Sequence, residues 1–511
     1  MLSVALAFAS SMVLQRDSPN VLWGSSSPGA QVTALLGCAG CPTLTPATTG
    51  SDGVWRVALP ALSATNVPFA VTVSSAGAPD VVLDDVLVGD VLMCSGQSNL
   101  ALSLQMALNA SAEIAALDAF GPTLRVAQVA NSFSGEPLAE FSAPLSIPWS
   151  RAAARVMNAT GFAGYSATCW FAGRELWRAL GAGVVPVGLI ESAVGGRSIR
   201  QWTPTAGLAA CPQPWSDPRP YGVDPYNHSW HWNAMIAPFA VGPLALRSVV
   251  WDQAESDSFP QTPLGYYGCQ TTAQVNSWRA ALRAPTLPWV FVVLQPYTGA
   301  GPCCLAELRA AQLGALALPR TGFASAVDLG DAESPWGDVH FRDKQTIGSR
   351  IALALRAVAY DGDAAAAAAY PPQSFLTQVS YLDAANVSYV DVSFARSDGA
   401  AAPPLTLDTS RVSASCPPAL PTANCTAFEI LGSDGSSSPA VATLSSPTAG
   451  GGVLRLTATL APGVYPVGTA YGWGAWPLAS LFSTTEAGDL PLLPWRQALT
   501  LRGPPGPPPS L

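Results

Sequence analysis

Val86-Leu87-Val88-Gly89-Asp90-Val91-Leu92-Met93-Cys94-Ser95-Gly96-Gln97-Ser98-Asn99-Leu100 is the stretch that decides the fold. The first eight residues read as an apolar strand, and the small polar residues after Met93 break it into a turn. Leu100, Leu102, Leu104, Met106 and Leu108 follow and read as a helix. A strand that stops at Gly-x-Ser and continues as a helix lifts a hydroxyl off the sheet edge. The helix start then offers backbone N–H groups to an anion. The plainer reading of the same residues is a buried strand that ends in a Gly/Ser turn without chemistry.

Working outward, the texture differs on the two sides of this stretch. Residues 1–85 carry short alternating runs between Gly/Pro/Ser turns: Val21–Trp23, Gln31–Leu36, Val54–Leu59 and Phe69–Val73, with Met12–Gln15 as the first strand. That spacing predicts a small β-sandwich-like domain. From residue 86 to 360, strands alternate with longer helical patterns, which predicts an α/β domain: a parallel sheet with helices on both faces. Its predicted helices are Trp170–Leu180, Ala273–Leu282, Leu305–Leu318 and Thr346–Ala359. Its further strands are Gly183–Ile190, Leu246–Trp251 and Pro288–Gln295. The Ala/Gly/Pro stretch 361–372 reads as a linker. Residues 373–500 return to short β-type runs, such as Val387–Phe394 and Gly452–Leu460, and form a C-terminal β-rich domain. The Pro-rich tail 501–511 reads as disordered.

The chain has 511 residues, which at roughly 150 per domain gives about three domains. Nearly half of it (49%) is hydrophobic and only 11% is charged, so a large core is expected. A net charge of −9 disfavours nucleic acid and anionic membrane surfaces as partners. No apolar run reaches the roughly 18–20 residues of a membrane span. Leu2–Ala9 is apolar but no positive residue precedes it, so a signal peptide is not read there. Ten cysteines and five N-glycosylation sequons, at Asn109, Asn158, Asn227, Asn386 and Asn424, favour a secretory, lysosomal or extracellular setting all the same. Cys38-x-x-Cys41 lies in a Gly/Pro-rich loop with no second pair nearby. It reads as a local disulfide rather than a zinc site.

Three more stretches can converge on Ser98. Gly188–Ile190 runs into Glu191-Ser192-Ala193-Val194-Gly195-Gly196-Arg197, where a Gly-Gly turn past a strand can present a backbone N–H to an oxyanion. It can equally be an ordinary tight turn. Val249–Trp251 ends in the polar cluster Asp252-Gln253-Ala254-Glu255-Ser256-Asp257, which is also what a solvated strand end looks like. Asp338-Val339-His340 precedes a helix, and the chain holds only three histidines, the others being His228 and His231. A serine needs a base within hydrogen-bond reach to act as a nucleophile at neutral pH. The order Ser98 then His340 suits a Ser-first, His-last hydrolase.

Taken together, the chain resembles the sialate O-acetylesterases of the SGNH hydrolase superfamily over nearly its whole length. The resemblance rests on Met12–Gln15 with Trp23-Gly24 and Pro28-Gly29-Ala30, on Cys94–Asn99, and on Gly188–Ile190 with Gly195-Gly196 and Trp202. It continues through Trp232–Ile236, Val250-Trp251-x-Gln253-x-Glu255-Ser256, Ser334-Pro335-x-Gly337, His340-x-Arg342–Thr346 and Tyr471-x-Trp473 with Trp476-Pro477. It implies an SGNH-like catalytic sheet with Ser98 as nucleophile and His340 as general base, then acid. The oxyanion hole would use the N–H groups of Ser98 and Gly196 and the side-chain amide of Gln253. No metal or organic cofactor is implied. Asp338 is the expected third triad member, with Asp328 and Asp331 in reserve. In this superfamily the acid more often stands three residues before the histidine, where this chain has Gly337. Other departures are Ala254 for a usual Gly, Asp252 for a frequent Tyr, and Val194-Gly195-Gly196-Arg197-Ser198 for Trp-Gly-Gly-Thr-Pro; these bear on pocket shape.

The expected substrate is an O-acetylated sugar, foremost a sialic acid, cleaved through an acyl-enzyme. An acetylesterase for other polysaccharides, or a non-catalytic glycan binder, are the alternatives. Sialate carries a carboxylate and the chain is net negative, so a local cation is needed. Arg197 and Arg200 follow the Gly-Gly turn and suit a carboxylate, unless both are merely solvated loop residues. Together with Glu255 they are the expected substrate-binding residues.

Overall fold

The computed structural model describes residues 1–502 except 212–227, 259–263, 299–303, 362, 364–365, 367–373, 384–386, 396–403, 409–416, 418–426, 446–451 and 486–487. The linker reading falls mostly, and the Pro-rich tail almost wholly, outside the described residues.

One strand, Val81–Gly96, runs through two environments. As far as Asp85 it is partly exposed and pairs antiparallel with the Thr65–Ser75 strand. From Val86 onward every residue is buried. This is what the sequence dictates: alternation gives way to an unbroken apolar run, as a strand covered on both faces requires. The second half pairs in parallel with Val187–Ala193 on one side and Ser248–Asp252 on the other. The central sheet then reads Ile147–Arg151, Leu124–Gln128, Val187–Ala193, Val81–Gly96, Ser248–Asp252, Trp289–Val293, Thr321–Ser325. All neighbours are parallel except the antiparallel edge strand Ile147–Arg151. With the N-terminal strands paired to it, this mixed sheet has eleven strands. The expected boundary at 85/86 therefore falls inside a single strand.

The pleat sends successive side chains to opposite faces. Val91 and Met93 enter one core with Val249, Trp251, Trp278 and Trp289. Leu92 and Cys94 enter the other with Trp170, Phe171, Ile347 and Ile351. Helices Leu264–Ala281 and Leu305–Gln312 cover the first face, and Ala167–Ala179 and Lys344–Ala359 the second. A disulfide from Cys94 to Cys169 ties the central strand to one of these helices. Cys38–Cys41 and Cys211–Cys269 are bridged as well.

One charge sits in the middle of the central strand. Asp90 is fully buried and accepts from Arg16 at 2.9 Å, Arg247 at 2.8 Å and the Tyr360 hydroxyl at 2.8 Å. Burial would raise this carboxyl, but the two guanidiniums outweigh it and hold it below its ordinary range. The N-terminal strands also form a separate three-stranded sheet, Ser3–Val4, Asn20–Ser25 and Val54–Leu59. Residues beyond 373 form sheets of five, three and four strands around their own core. Arg309, buried under the central sheet, donates to the carbonyls of Gly474 and Ala475 and so binds this region to it.

The helix read after the nucleophile turn is the main local difference. Only Ser98–Ala101 is helical, followed by a 3-10 turn at Leu104–Met106. The apolar residues there repeat every second position, which is a strand's period. Accordingly Ser103 bridges Ser166 in antiparallel fashion, and Leu104 N–H donates to the Tyr165 carbonyl.

Candidate active site

The site is built at the C-terminal ends of the parallel strands. At Gly96 the central strand meets its neighbour so closely that a Cβ would stand 2.0 Å from the Asp252 carbonyl oxygen, at a φ of +150°. Only glycine fits there. The chain turns, Gln97 N–H donates to the Asp252 carbonyl at 3.0 Å, and Ser98 opens the short helix. Val194 N–H donates to the Gly96 carbonyl at 3.2 Å, which brings in the Gly195-Gly196 turn. Gly195 lies against Ser98: a Cβ on it would come 3.4 Å from the serine Cβ. Gly196 is exposed with a φ of +70°. The two stretches expected to meet do meet.

His340 comes from the far end of the domain. Its Nε2 lies 2.8 Å from Ser98 Oγ, and its Nδ1 lies 2.7 Å from the Trp336 carbonyl oxygen. A carbonyl can only accept, so Nδ1 carries the proton and Nε2 faces the serine with its lone pair. The expectation that Asp338 orients the ring is not met in this geometry. The Asp338 carboxylate accepts from Thr298 N–H at 2.6 Å and from the Thr298 hydroxyl. The reserves are engaged too: Asp331 is paired with Arg342 and Asp328 with Arg350. The physical reason is local. Gly337 turns the backbone with a φ of +87°, and His340 N–H donates to the Gly337 carbonyl at 2.9 Å. This curl returns the Trp336 carbonyl to the imidazole and sends Asp338 away.

Gln253, expected in the oxyanion hole, is a brace instead. It is fully buried, and its Nε2 lies 2.7 Å from Asp257 Oδ2 and 3.0 Å from both Gln97 Oε1 and the Arg197 carbonyl. An amide nitrogen has two hydrogens, and three acceptors already compete for them. Its oxygen accepts from Tyr267 at 2.8 Å. Gln253 therefore fixes the turn after Gly196 and the residue before Ser98.

The expected substrate-binding residues divide. Arg200 is buried, and its Nε lies 3.2 Å from Ser198 Oγ, so it is not a rim residue. Arg197 is half-buried on the turn, and its Nε has no hydrogen-bond partner among the described residues. It lies near His231, a buried histidine whose Nδ1 is 2.9 Å from the Ser132 carbonyl. Burial, and secondarily the Arg197 charge, push this imidazole down to about 4. Glu255 is buried, and its carboxylate accepts from Asn99, Gln295 and the Ala254 N–H.

Around Glu255 lies a network that the sequence reading did not single out. Asn99, next to the serine, donates through Nδ2 to Glu255 and, at 2.8 Å, to the carbonyl of Val339, the residue before His340. Its Oδ1 accepts from Lys344 Nζ at 2.9 Å. Gln295 Nε2 also reaches the Val339 carbonyl, at 2.7 Å, and Glu255 at 3.3 Å. Asn99 and Lys344 are fully buried, as is Asp252, whose two carboxylate oxygens find no hydrogen bond among the described residues. Burial pushes the Asp252 carboxyl up and the Lys344 ammonium down; their mutual attraction opposes both shifts. One detectable signal was Lys344 within the block His340-x-Arg342–Thr346. Among the described residues, no group of three or more His, Cys, Asp or Glu is placed to hold a metal ion. No helix among them is long and apolar enough to cross a membrane.

A serine oxygen on a histidine nitrogen, at the carboxyl edge of a parallel sheet and beside a glycine turn, is a layout that acyl-transferring hydrolases use. Comparison with known proteins agrees, and the chain is an ester hydrolase. A family model described as "Carbohydrate esterase, sialic acid-specific acetylesterase" matches residues 88–357. The sialate O-acetylesterase of Rattus norvegicus is 32% identical over 400 residues, which is 68% of this chain and 72% of the relative. That of Homo sapiens is 32% identical over 373 residues, 68% of this chain and 69% of the relative. The crystal structure of a carbohydrate acetylesterase from Xanthomonas citri has a TM-score of 0.76 at 27% identity, covering 97% of this chain and 99% of that one. The chain belongs to the sialic acid-specific acetylesterase family of carbohydrate esterases.

Proposed function

We propose that the chain is a serine esterase that removes O-acetyl groups from sialic acids on an SGNH-like catalytic sheet. The observation that carries the reading is the 2.8 Å approach of His340 Nε2 to Ser98 Oγ, with the ring's tautomer set by the Trp336 carbonyl. His340 takes the serine proton as Ser98 Oγ attacks the acetyl carbon. The N–H groups of Ser98 and of the Gly195-Gly196 turn stabilise the oxyanion. His340 then returns its proton to the sugar oxygen, and the sugar leaves. Water attacks the acetyl-serine with the same base, releasing acetate. Among the described residues it is a peptide carbonyl rather than a carboxylate that accepts from Nδ1 of the imidazolium.

Arg197 is a cation available to a sialate carboxylate, whereas Arg200 is turned inward. The bridged cysteines support a secretory, lysosomal or extracellular setting, where disulfides persist. A second reading, an acetylesterase for neutral polysaccharides, is favoured by the likeness to the Xanthomonas citri carbohydrate acetylesterase. The experiment is acetate release by the purified protein from O-acetylated sialic acid and from acetylated xylan. Faster kcat/KM on the sialate, lowered when Arg197 becomes Ala, supports the first reading. Preference for xylan replaces it with the second.

A further inference from the structure

Among the described residues, Phe162 is an aromatic side chain left partly in the open beside the base. It is 44% exposed, and its ring centre lies 5.0 Å from that of His340 at an interplanar angle of 53°. Phe133, which is also exposed, at least stacks on Trp230 at 5.1 Å. Phe162 is not placed there by slack in the chain. It sits on the 3-10 turn Gly161–Ala163, and at Gly164 a Cβ would come 2.2 Å from the Ala159 carbonyl oxygen and 2.7 Å from Ser103 Cβ. The Gly164 carbonyl accepts from Gln128 at 3.2 Å, and the next carbonyl, of Tyr165, accepts from Leu104 N–H at 2.9 Å. A pinned turn thus presents an apolar ring next to the catalytic imidazole.

We propose that Phe162 is a specificity-determining residue: the wall on which the sugar ring of the leaving alcohol lies. This rests on the esterase reading above. The ester has two ends, and the site treats them differently. The carbonyl oxygen must face the N–H groups of the Gly195-Gly196 turn, which packs against Ser98. The alcohol oxygen must receive its proton from His340 Nε2, so the sugar lies on the histidine side. Phe162 is the ring that touches the histidine. A pyranose offers a face of C–H bonds to an aromatic ring, an apolar contact that needs no charge. Trp336, whose carbonyl holds His340 Nδ1, is itself 41% exposed.

The test compares Phe162→Ala and Phe162→Tyr with wild type on two esters: an O-acetylated sialic acid, and ethyl acetate as a probe without a sugar. Acetate release gives kcat and KM for each. The ratio of kcat/KM for the sugar ester to that for ethyl acetate is expected to fall about 3–10-fold in Phe162→Ala, through KM. Phe162→Tyr, which keeps the ring, is expected to restore it. An unchanged ratio overturns the proposal: if both esters lose rate together, Phe162 merely braces His340. If wild type hydrolyses ethyl acetate but no O-acetylated sugar, the sialate reading fails, and the sugar wall with it.

Discussion

Asn99→Ala probes the buried join between nucleophile and base. The substitution removes a neutral donor from the Val339 carbonyl, a donor from Glu255, and the acceptor of the Lys344 ammonium. Asn99, Glu255 and Lys344 are almost wholly shielded from water, so solvent does not replace what they lose. Lys344 is left as a buried cation without its hydrogen-bond acceptor, whereas Glu255 keeps Gln295 and Ala254 N–H. Hydrogen bonds to charged groups are worth about 1.5–3 kcal/mol each, and Lys344 keeps the attraction of Asp252 and Glu255. A loss of about 1.5–3 kcal/mol corresponds to a fall in melting temperature of roughly 3–6 °C, at about 2 °C per kcal/mol for a large domain. The effect on turnover follows separately. Val339 retains the Gln295 donor, so His340 stays near Ser98 but is held from one side only. A misplacement approaching 1 Å costs about 10²-fold, so kcat is expected to fall by up to that factor with KM little changed. Differential scanning fluorimetry and steady-state acetate release on the same preparation measure both. A variant that melts within 2 °C of wild type and turns over normally would refute the reasoning, because it would mean that Lys344 has another acceptor.

Three further outcomes are expected. Ser98→Ala lowers kcat by several orders of magnitude without lowering the melting temperature, and the double variant with His340→Ala is little worse than either single, since both act in one step. Asp338→Asn keeps activity within about tenfold of wild type. An Asp that truly oriented the imidazole would cost about 10⁴-fold, and such a loss would return Asp338 to the triad. The third concerns pH and His231. Its folded value of about 4 lies below the ordinary 6.5, so its contribution to stability is fully present above 6.5. It is lost as pH falls toward 4, because the unfolded chain binds the proton first. That is about 3 kcal/mol over the window. Urea unfolding at pH 7 and pH 4.5 should show a smaller difference in His231→Gln than in wild type; equal differences would show that His231 does not titrate this way.

Sequence and structure agree where one physical constraint acts alone. Gln31–Leu36 and Val54–Leu59 were read to the residue, because each buries one face and alternates cleanly. The central strand was legible because its apolar run is unbroken. Leu124–Gln128 was not read as a strand. Its Arg125 looks like a surface residue, yet it is fully buried and paired through both nitrogens with Asp85. The site shows the same limit. Residue type and order were enough to bring Ser98, Gly196 and His340 to one place. They were not enough to aim side chains. A backbone carbonyl that holds a histidine has no residue type to betray it, so the sequence alone points to the nearest acid, Asp338. Gln253 has the donor an oxyanion needs, but its direction is fixed by Asp257 and Gln97, which only the folded chain brings together.

The central strand also carries a consequence for how the molecule is made. Val81–Gly96 leaves the ribosome early, and its first half can pair at once with Thr65–Ser75. The second half must wait for both of its neighbours. Gln97 and Gln253, which mark the ends of the central strand and its later neighbour, are 156 residues apart. At about 5–20 residues per second, that leaves one edge of the most apolar strand open for roughly 8–30 s of translation. An unpaired apolar edge is a template for the wrong chain. The nascent protein therefore has a defined vulnerable interval, which begins when Val86 emerges and ends when Asp252 docks. Slowing elongation before residue 252 should lower the yield of native protein more than slowing it after.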